Sequence, residues 1–547
     1  MVTSVTQLKP ACRIFMLLIV LLAILIALPI FGVVATWANL DAGGLEVLRQ
    51  QFDTVLPSYL ATSGIMALIV PIGVVVIGAV CAVTVSLFEF KGRRFLSWAL
   101  LLPMAMPAYV SAYAYTDFFQ YSGLVQTTIR EVFPEFRMNV RSIYGAVCMF
   151  IVTLYPYTYL LARSALSERG VHLMEAARLM GASLTERIWR VALPLARPAL
   201  TAGAALALME TLADFGVGSY FGLQTLTTGI YKAWTVMDNH IAAAQYASVL
   251  LFFVAVLLWL ERKEQKRMRF ATTRGQRDDG AESRLPKLHG KKMLLAWSIC
   301  LLPVIFGFLL PVGILCHLML REAVVIDWSR YMQWAWNSFR FGGIAAFLAV
   351  ALSVCLSFAQ RTNAMPTARH RFVQFVARLA SMGYAIPGSV IAVGILVPVA
   401  FLQACFPESR VGIILTGSAV GIIYAYLVRF TAVAVQSVES GYTRIPHTID
   451  EAARILATPR WQIVTKLHLP LLWRSLMIAA LMVFVDVVKE LPATLLLRPF
   501  DSDTLAVIAH NLARDERLAE ASLPSLSIVI VGLIPVILVT RALNKRT

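Results

Sequence analysis

Four carboxylates stand inside long apolar stretches of this 547-residue chain, and their spacing repeats. Glu210 and Asp214 lie four residues apart, and Asp486 and Glu490 lie four apart again, 276 residues further on. In an α-helix that spacing puts both side chains of a pair on one face. Ionisable groups at membrane depth cost about 2.5–3.5 kcal/mol each on insertion scales, so they mark functional positions by default. A pathway lined by such acids favours a cation, and hard oxygen donors favour a hard metal ion over an amino acid or a sugar. That chemistry is contact and release, with no bond made or broken. A structural reading competes with it. Lys489 is next to Glu490 and three residues from Asp486, placed to neutralise one acid in a buried pair, while the other acids cap polar breaks.

Acids at that depth need membrane helices to hold them. The chain is 59% apolar and only 14% charged, with a mean hydropathy of +0.73. Ordinary soluble domains carry about 25% charged residues, so the excess apolar surface must face lipid and a soluble globular protein is excluded. The fold class is an all-α polytopic membrane protein. Crossing ~30 Å of hydrocarbon takes ~20 mostly apolar residues. Twelve stretches qualify, at about 14–36, 62–88, 96–117, 142–162, 199–221, 241–260, 293–316, 341–359, 379–404, 411–432, 475–497 and 525–543. The first is too long for a signal-peptide core and is read as a span. Pro107 and Pro387-Gly388 are expected to break spans three and nine. The polar stretch 261–292 reads as a linker between two six-helix halves, 1–260 and 293–547.

Charge sorts the loops. The net charge is +17, and the loops that alternation puts on one side hold 35 basic and 12 acidic residues, against 11 and 15 on the other. Cytoplasmic loops carry the excess of Lys and Arg, so both termini are expected in the cytoplasm. The basicity is then a record of topology and calls for no nucleic-acid partner, only membrane lipid. Arg429 is counted in the loop set 429–474. His240 and His510 fall on the outer side with Tyr220 and Tyr231, which are weaker candidates for handling a metal. Seven scattered cysteines include no CxxC pair and read as small core residues.

An internal repeat carries the most specific motif. Residues 175–194 begin Glu175-Ala176-Ala177, continue through Gly181 and end at Leu193-Pro194. Residues 451–470 begin Glu451-Ala452-Ala453 and end at Leu469-Pro470, at the same offset of 276. Each copy reads as an amphipathic helix opened by an acid, a break at Gly181 or at Ala457-Thr458-Pro459, and a second helix that stops at the Leu-Pro. The second copy has Ala457 where the glycine is expected, so its turn cannot use a glycine-only backbone.

This pattern resembles the EAA loop of ABC importer permeases, the segment with which that family docks its ATPase subunits. The resemblance makes the eleven residues named in the two loops coupling positions. The chain has no GxxxxGK[ST] phosphate loop, so ATP and magnesium are expected to be used by a separate cytoplasmic ATPase, in two copies, and no cofactor is expected on this chain. A wider likeness narrows the substrate. Glu210-Thr-Leu-Ala-Asp-Phe-Gly216, Gln224-Thr-Leu-Thr-Thr-Gly-Ile-Tyr231, Lys489-Glu-Leu-Pro-Ala-Thr494, Leu102-Pro-Met-Ala-Met-Pro-Ala-Tyr109 and Ala385-Ile-Pro-Gly388 resemble the fused permeases of bacterial ferric-iron importers. That resemblance implies an inner-membrane permease, no enzyme activity of its own, and a periplasmic binding protein that delivers the ion. Its metal contacts are then confined to the transient pathway acids. Import of thiamine, a polyamine or a phosphonate, and ion-coupled secondary transport, are the alternatives.

Overall fold

Lipid offers the backbone no hydrogen-bond partner, so apolar stretches of this length close their own bonds as helices. A computed structural model describes residues 10–38, 42–269, 286–321, 327–362, 368–456 and 458–544, and among them it is helical with no named strand. The helices that matter for function are, in chain order, α1 (Pro10–Ala35), α2 (Leu56–Leu87), α3 (Ala108–Phe119), α4 (Ile143–Leu179), α5 (Leu193–Ala213) and α6 (Gly216–Tyr220). They continue as α7 (His240–Arg269), α8 (Lys291–Arg321), α9 (Trp328–Thr362), α10 (Gly388–Cys405) and α11 (Ala419–Tyr442). The last four are α12 (His447–Ile455), α13 (Leu469–Lys489), α14 (Pro492–Leu497) and α15 (Leu518–Asn544).

Ten helices among the described residues are long and apolar enough to cross a membrane. The pair Arg93–Ala105 and Ala108–Val132 is apolar enough when taken together but is bent by 92°, the geometry of a broken span or a re-entrant loop. The remaining expected span is α1, whose described apolar part, Ile19–Ala35, is shorter. The two expected proline breaks are both present. Met106 and Pro107 are extended (ψ 115° and 141°), as are Ile386 and Pro387 (ψ 124° and 140°), and each proline immediately precedes a new helix. A residue before proline is pushed off the helical backbone, and proline has no N–H to continue the ladder.

Packing divides the chain differently from the repeat. One compact unit takes residues 1–44, 238–248 and 332–504; the other takes 45–237, 249–331 and 505–547. Within the first, Ile19, Leu22 and Ile26 of α1 are buried against Leu356, Val373, Val376 and Val435, and the Tyr424 hydroxyl donates to the carbonyl of Leu25 at 2.7 Å. Helix α1 is thus packed with second-half helices. Within the other, Tyr159 donates to the Ser97 carbonyl at 3.0 Å, and Tyr331 and Ser527 share a 2.7 Å hydroxyl contact. Of the expected linker, 261–269 continue α7, and the amides of Glu89 and Leu288 bond to Pro286 and Glu89. Residues 270–285 lie outside those described.

Candidate coupling loops and intramembrane acids

The first loop is the end of a long helix. Glu175 is exposed near the C-terminus of α4, so it does not open a helix as the sequence suggested. Helix α4 ends in a Schellman motif: the Ala182 amide donates to the Ala177 carbonyl at 3.0 Å and the Gly181 amide to Arg178 at 3.0 Å. Gly181 has φ +85°, the left-handed region that favours glycine. Ser183 and Glu186 then form a reciprocal capping box that starts Leu184–Arg187.

The second loop repeats the break. The Thr458 amide donates to the Ala453 carbonyl at 3.0 Å, the bond equivalent to Ala182 on Ala177. Position 457, where glycine was expected, lies outside the described residues. Glu451 sits mid-way along α12, exposed, with Asp450 in the first turn. Ala452 is exposed while Ala453 is buried against Phe358 and Ile463. Each loop leaves a matched apolar pair in the open, Leu179-Met180 in one and Ile455-Leu456 in the other, all at least 78% exposed.

The second helix of each loop does not stop at the Leu-Pro. Ile188–Ala192 and Ile463–His468 are π-turns, and the Leu193 and Leu469 amides reach five residues back to Ile188 and Val464. The next residues, Pro194 and Pro470, have no N–H and would crowd a normal turn, so one wide turn absorbs the mismatch. The loop helix is therefore continuous with the span, as Leu184–Ala213 in one half and Ile463–Lys489 in the other.

Those spans end earlier than hydropathy suggested. Asp214 and Glu490 are the residues after the helix, with φ/ψ of −71/127° and −71/125°, so neither shares a helix face with the acid four before it. Both carboxylates cap the short helix that follows. Asp214 Oδ1 accepts from the Val217 amide at 2.7 Å, and Glu490 accepts from the amides of Ala493 and Thr494 at 2.9 and 3.0 Å and from the Thr494 hydroxyl at 2.6 Å. Glu210 and Asp486 remain on the last turns of α5 and α13, partly exposed.

Glu490 is 5% exposed and paired with Arg429, whose Nη1 stands 3.3 Å from Oε1. The cation paired with Glu490 is thus Arg429 where the sequence pointed to Lys489, and Arg429 lies outside the loop set in which it was counted, buried part-way along α11. Gly388, at the start of α10, lies so close to Glu490 Oε1 and Arg429 Nη1 that a Cβ there would require the ion pair to shift. The matched position of the first half is Thr153, whose hydroxyl donates to Met149. Sequence reasoning missed Arg429 because its partner is 61 residues away; the signal was an arginine interrupting the apolar run of α11.

Of the four candidates expected on the outer side, His510, Tyr220 and Tyr231 are linked through Tyr113 and Phe215, and His240 stands apart. Tyr113 hydrogen-bonds His510 at 2.8 Å and packs edge-on to Tyr220 with ring centres 4.7 Å apart, while Phe215 contacts both His510 and Tyr231. His240 lies 3.9 Å from Asp238. Among the described residues, no three His, Cys, Asp or Glu side chains stand together as a metal site.

A family described as the binding-protein-dependent transport system inner membrane component matches residues 74–270 and 364–547, each match containing one loop and one acid pair. The chain belongs to that family. It is a multi-pass ABC transport permease with two homologous halves, and transport permeases are not enzymes. Among its relatives is the Fe(3+)-transport system permease protein FbpB 2 of Haemophilus influenzae, 25% identical over 96% of this chain and 97% of the relative. PhnU of Salmonella typhimurium, named for 2-aminoethylphosphonate transport, is 26% identical over 44% of this chain and 89% of its own length. The sulfate transport system permease protein CysT of Escherichia coli is 27% identical over 34% of this chain and 67% of its own.

Proposed function

We propose that this permease carries ferric iron from a periplasmic binding protein into the cytoplasm, driven by a separate ATPase pair docked on the two EAA loops. The observation that carries the reading is the continuity of each loop helix with a span that ends at an acid: Leu184–Ala213 before Asp214, and Ile463–Lys489 before Glu490. Force on Glu175, Ala176, Ala177 and Gly181, or on Glu451, Ala452 and Ala453, crosses the tight turn that follows them and then passes along one continuous helix through Leu193-Pro194 or Leu469-Pro470 to the acidic end of the span. The exposed pairs Leu179-Met180 and Ile455-Leu456 supply an apolar docking surface.

Iron is favoured by the full-length likeness to an Fe(3+) permease and by carboxylate oxygens, which suit a hard cation and repel phosphonate or sulfate. Glu490 is buried against Arg429 and α14 and Asp214 caps α6, so in this reading these two shape the breaks, and Glu210 and Asp486, partly exposed on the last turns of the spans, meet the ion. In this reading both termini are cytoplasmic. The test is uptake of radiolabelled iron by proteoliposomes holding permease, ATPase and iron-loaded binding protein. Glu210→Gln and Asp486→Asn should each reduce uptake by about tenfold or more, the scale of one lost charge contact, with the complex still assembled. Uptake of a phosphonate in place of iron, or uptake that persists without the ATPase, would overturn the proposal.

A further inference from the structure

In the first half one helix, α4, carries the chain from the span through Glu175 to the turn at Gly181. In the second half the corresponding helix, α11, ends at Tyr442 and the chain restarts as α12 at His447. Pro446 accounts for the gap, since it has no N–H and disfavours a helical Ile445. The second coupling helix has therefore lost the continuous backbone that the first one keeps.

A buried polar cluster spans that gap. Arg361, at the end of α9, donates from Nη1 to the Tyr442 carbonyl at 3.1 Å and from Nη2 to the carbonyls of Ile445 and Pro446 at 2.8 and 2.9 Å. Its Nε bonds Asp450 Oδ2 in the first turn of α12. Asp450 Oδ1 in turn meets His468 Nε2 at 2.7 Å, and His468 Nδ1 meets the Tyr442 hydroxyl at 3.2 Å. His468 is fully buried in the π-turn that leads into α13, stacked edge-on against Phe358 and Tyr442. At the matched positions of the first half stand Leu166, Met174 and Ala192 in place of Tyr442, Asp450 and His468, all buried and all apolar.

Four elements thus meet on one carboxylate and one guanidinium only where the backbone is broken. We propose that Arg361, Asp450 and His468 form a polar splice that replaces the missing helical continuity, so that displacement of α12 is passed to α9, α11 and α13 together. They are positioning residues for coupling, and the inference rests on the EAA loops being the ATPase contact. The forked guanidinium is required, because one lysine ammonium with three donors cannot reach three carbonyls and a carboxylate at once.

The experiment uses the whole importer in proteoliposomes and reads three quantities: ATPase co-purification, ATP hydrolysis, and radiolabelled iron taken up per ATP hydrolysed. Arg361→Lys and Asp450→Asn should leave the ATPase bound while uptake per ATP falls about tenfold, within the range known for coupling residues. Should either variant fail to fold, the triple variant Arg361→Met, Asp450→Met, His468→Ala decides, since it copies the apolar pattern of the first loop and leaves no buried charge. It should assemble and still show the lowered ratio. Wild-type uptake per ATP in Arg361→Lys or in the triple variant overturns the splice. Glu451→Ala separates the two levels: loss of ATPase binding there with normal coupling in Arg361→Lys sinks the splice alone, whereas unaltered ATPase binding and uptake in both Glu175→Ala and Glu451→Ala sinks the coupling reading and the splice with it.

Discussion

The loops at 175–194 and 451–470 share one turn hydrogen bond and one π-turn but differ in what surrounds them. In the first, α4 runs unbroken to Gly181, the turn uses a left-handed glycine, and Leu166, Met174 and Ala192 fill the space behind it. In the second, the helix is interrupted at Pro446, and Asp450 and His468, paired with each other and with Arg361, stand where the first loop has Met174 and Ala192. The acid breaks differ in the same sense, since Glu490 is locked to Arg429 where the first half has Thr153. The lesson is that the two copies keep the same turns, while each finds its own way to satisfy the groups around them. Polar solutions are specific in geometry but costly to disturb, because a buried charge without its partner is worse than an apolar pair.

That contrast can be broken at three places. Arg429→Met should have the largest effect, leaving Glu490 buried without its cation at a cost of about 3–5 kcal/mol. Thr153→Val at the matched site should cost about 1 kcal/mol. Thermal unfolding of the two variants in detergent checks the difference, and equal shifts would show that the Arg429 pair adds nothing.

A second test is acid sensitivity. Burial raises the Asp450 carboxyl, but hydrogen bonds and charge from Arg361 and His468 more than offset it, and the net value lies below the ordinary aspartate range. A carboxylate with a depressed folded value stabilises fully above its unfolded pKa of about 3.9 and loses that contribution as the pH falls through the folded value. Hydrogen exchange at 443–456, corrected for intrinsic rates, should therefore accelerate below about pH 4, while 175–182, backed by Met174, should not follow. The groups facing Asp450 are Arg361, His468 and, through His468, Tyr442.

A more local effect is expected at Gly181. No atom lies within 4 Å of a Cβ placed there, so Gly181→Ala meets only the backbone cost of φ +85°, about 1–2 kcal/mol. Local exchange at 177–182 should rise with little change in global unfolding. A large loss of ATPase binding instead would mean that the glycine contacts the partner directly.

Much of this architecture was legible before any coordinates. Both proline breaks and the paired loops follow from local rules, and each of the twelve expected apolar stretches falls on helix. The ends of α5 and α13 were not legible, because a hydropathy window runs on through short capped helices such as α6 and α14. An acid that caps a break therefore looks like an acid inside a span. The continuity through Leu193-Pro194 and Leu469-Pro470 was hidden for a related reason: a proline signals a stop, and only the wide turn before it shows how the helix continues. Arg361, Asp450 and His468 gave no motif, since their contacts join positions 18 to 89 residues apart.

By itself the sequence determined that this is a membrane permease of duplicated halves. Those properties add up residue by residue: transfer free energy along a helix, the excess of positive charge in alternate loops, and a motif repeated at one offset. The tertiary structure alone decided which carboxylates cap breaks and which stay on the span helices, and how a broken helix is held. Pairing and burial depend on residues brought together from distant parts of the chain, and the free energy of a buried charge is set by those neighbours more than by its own place in the sequence.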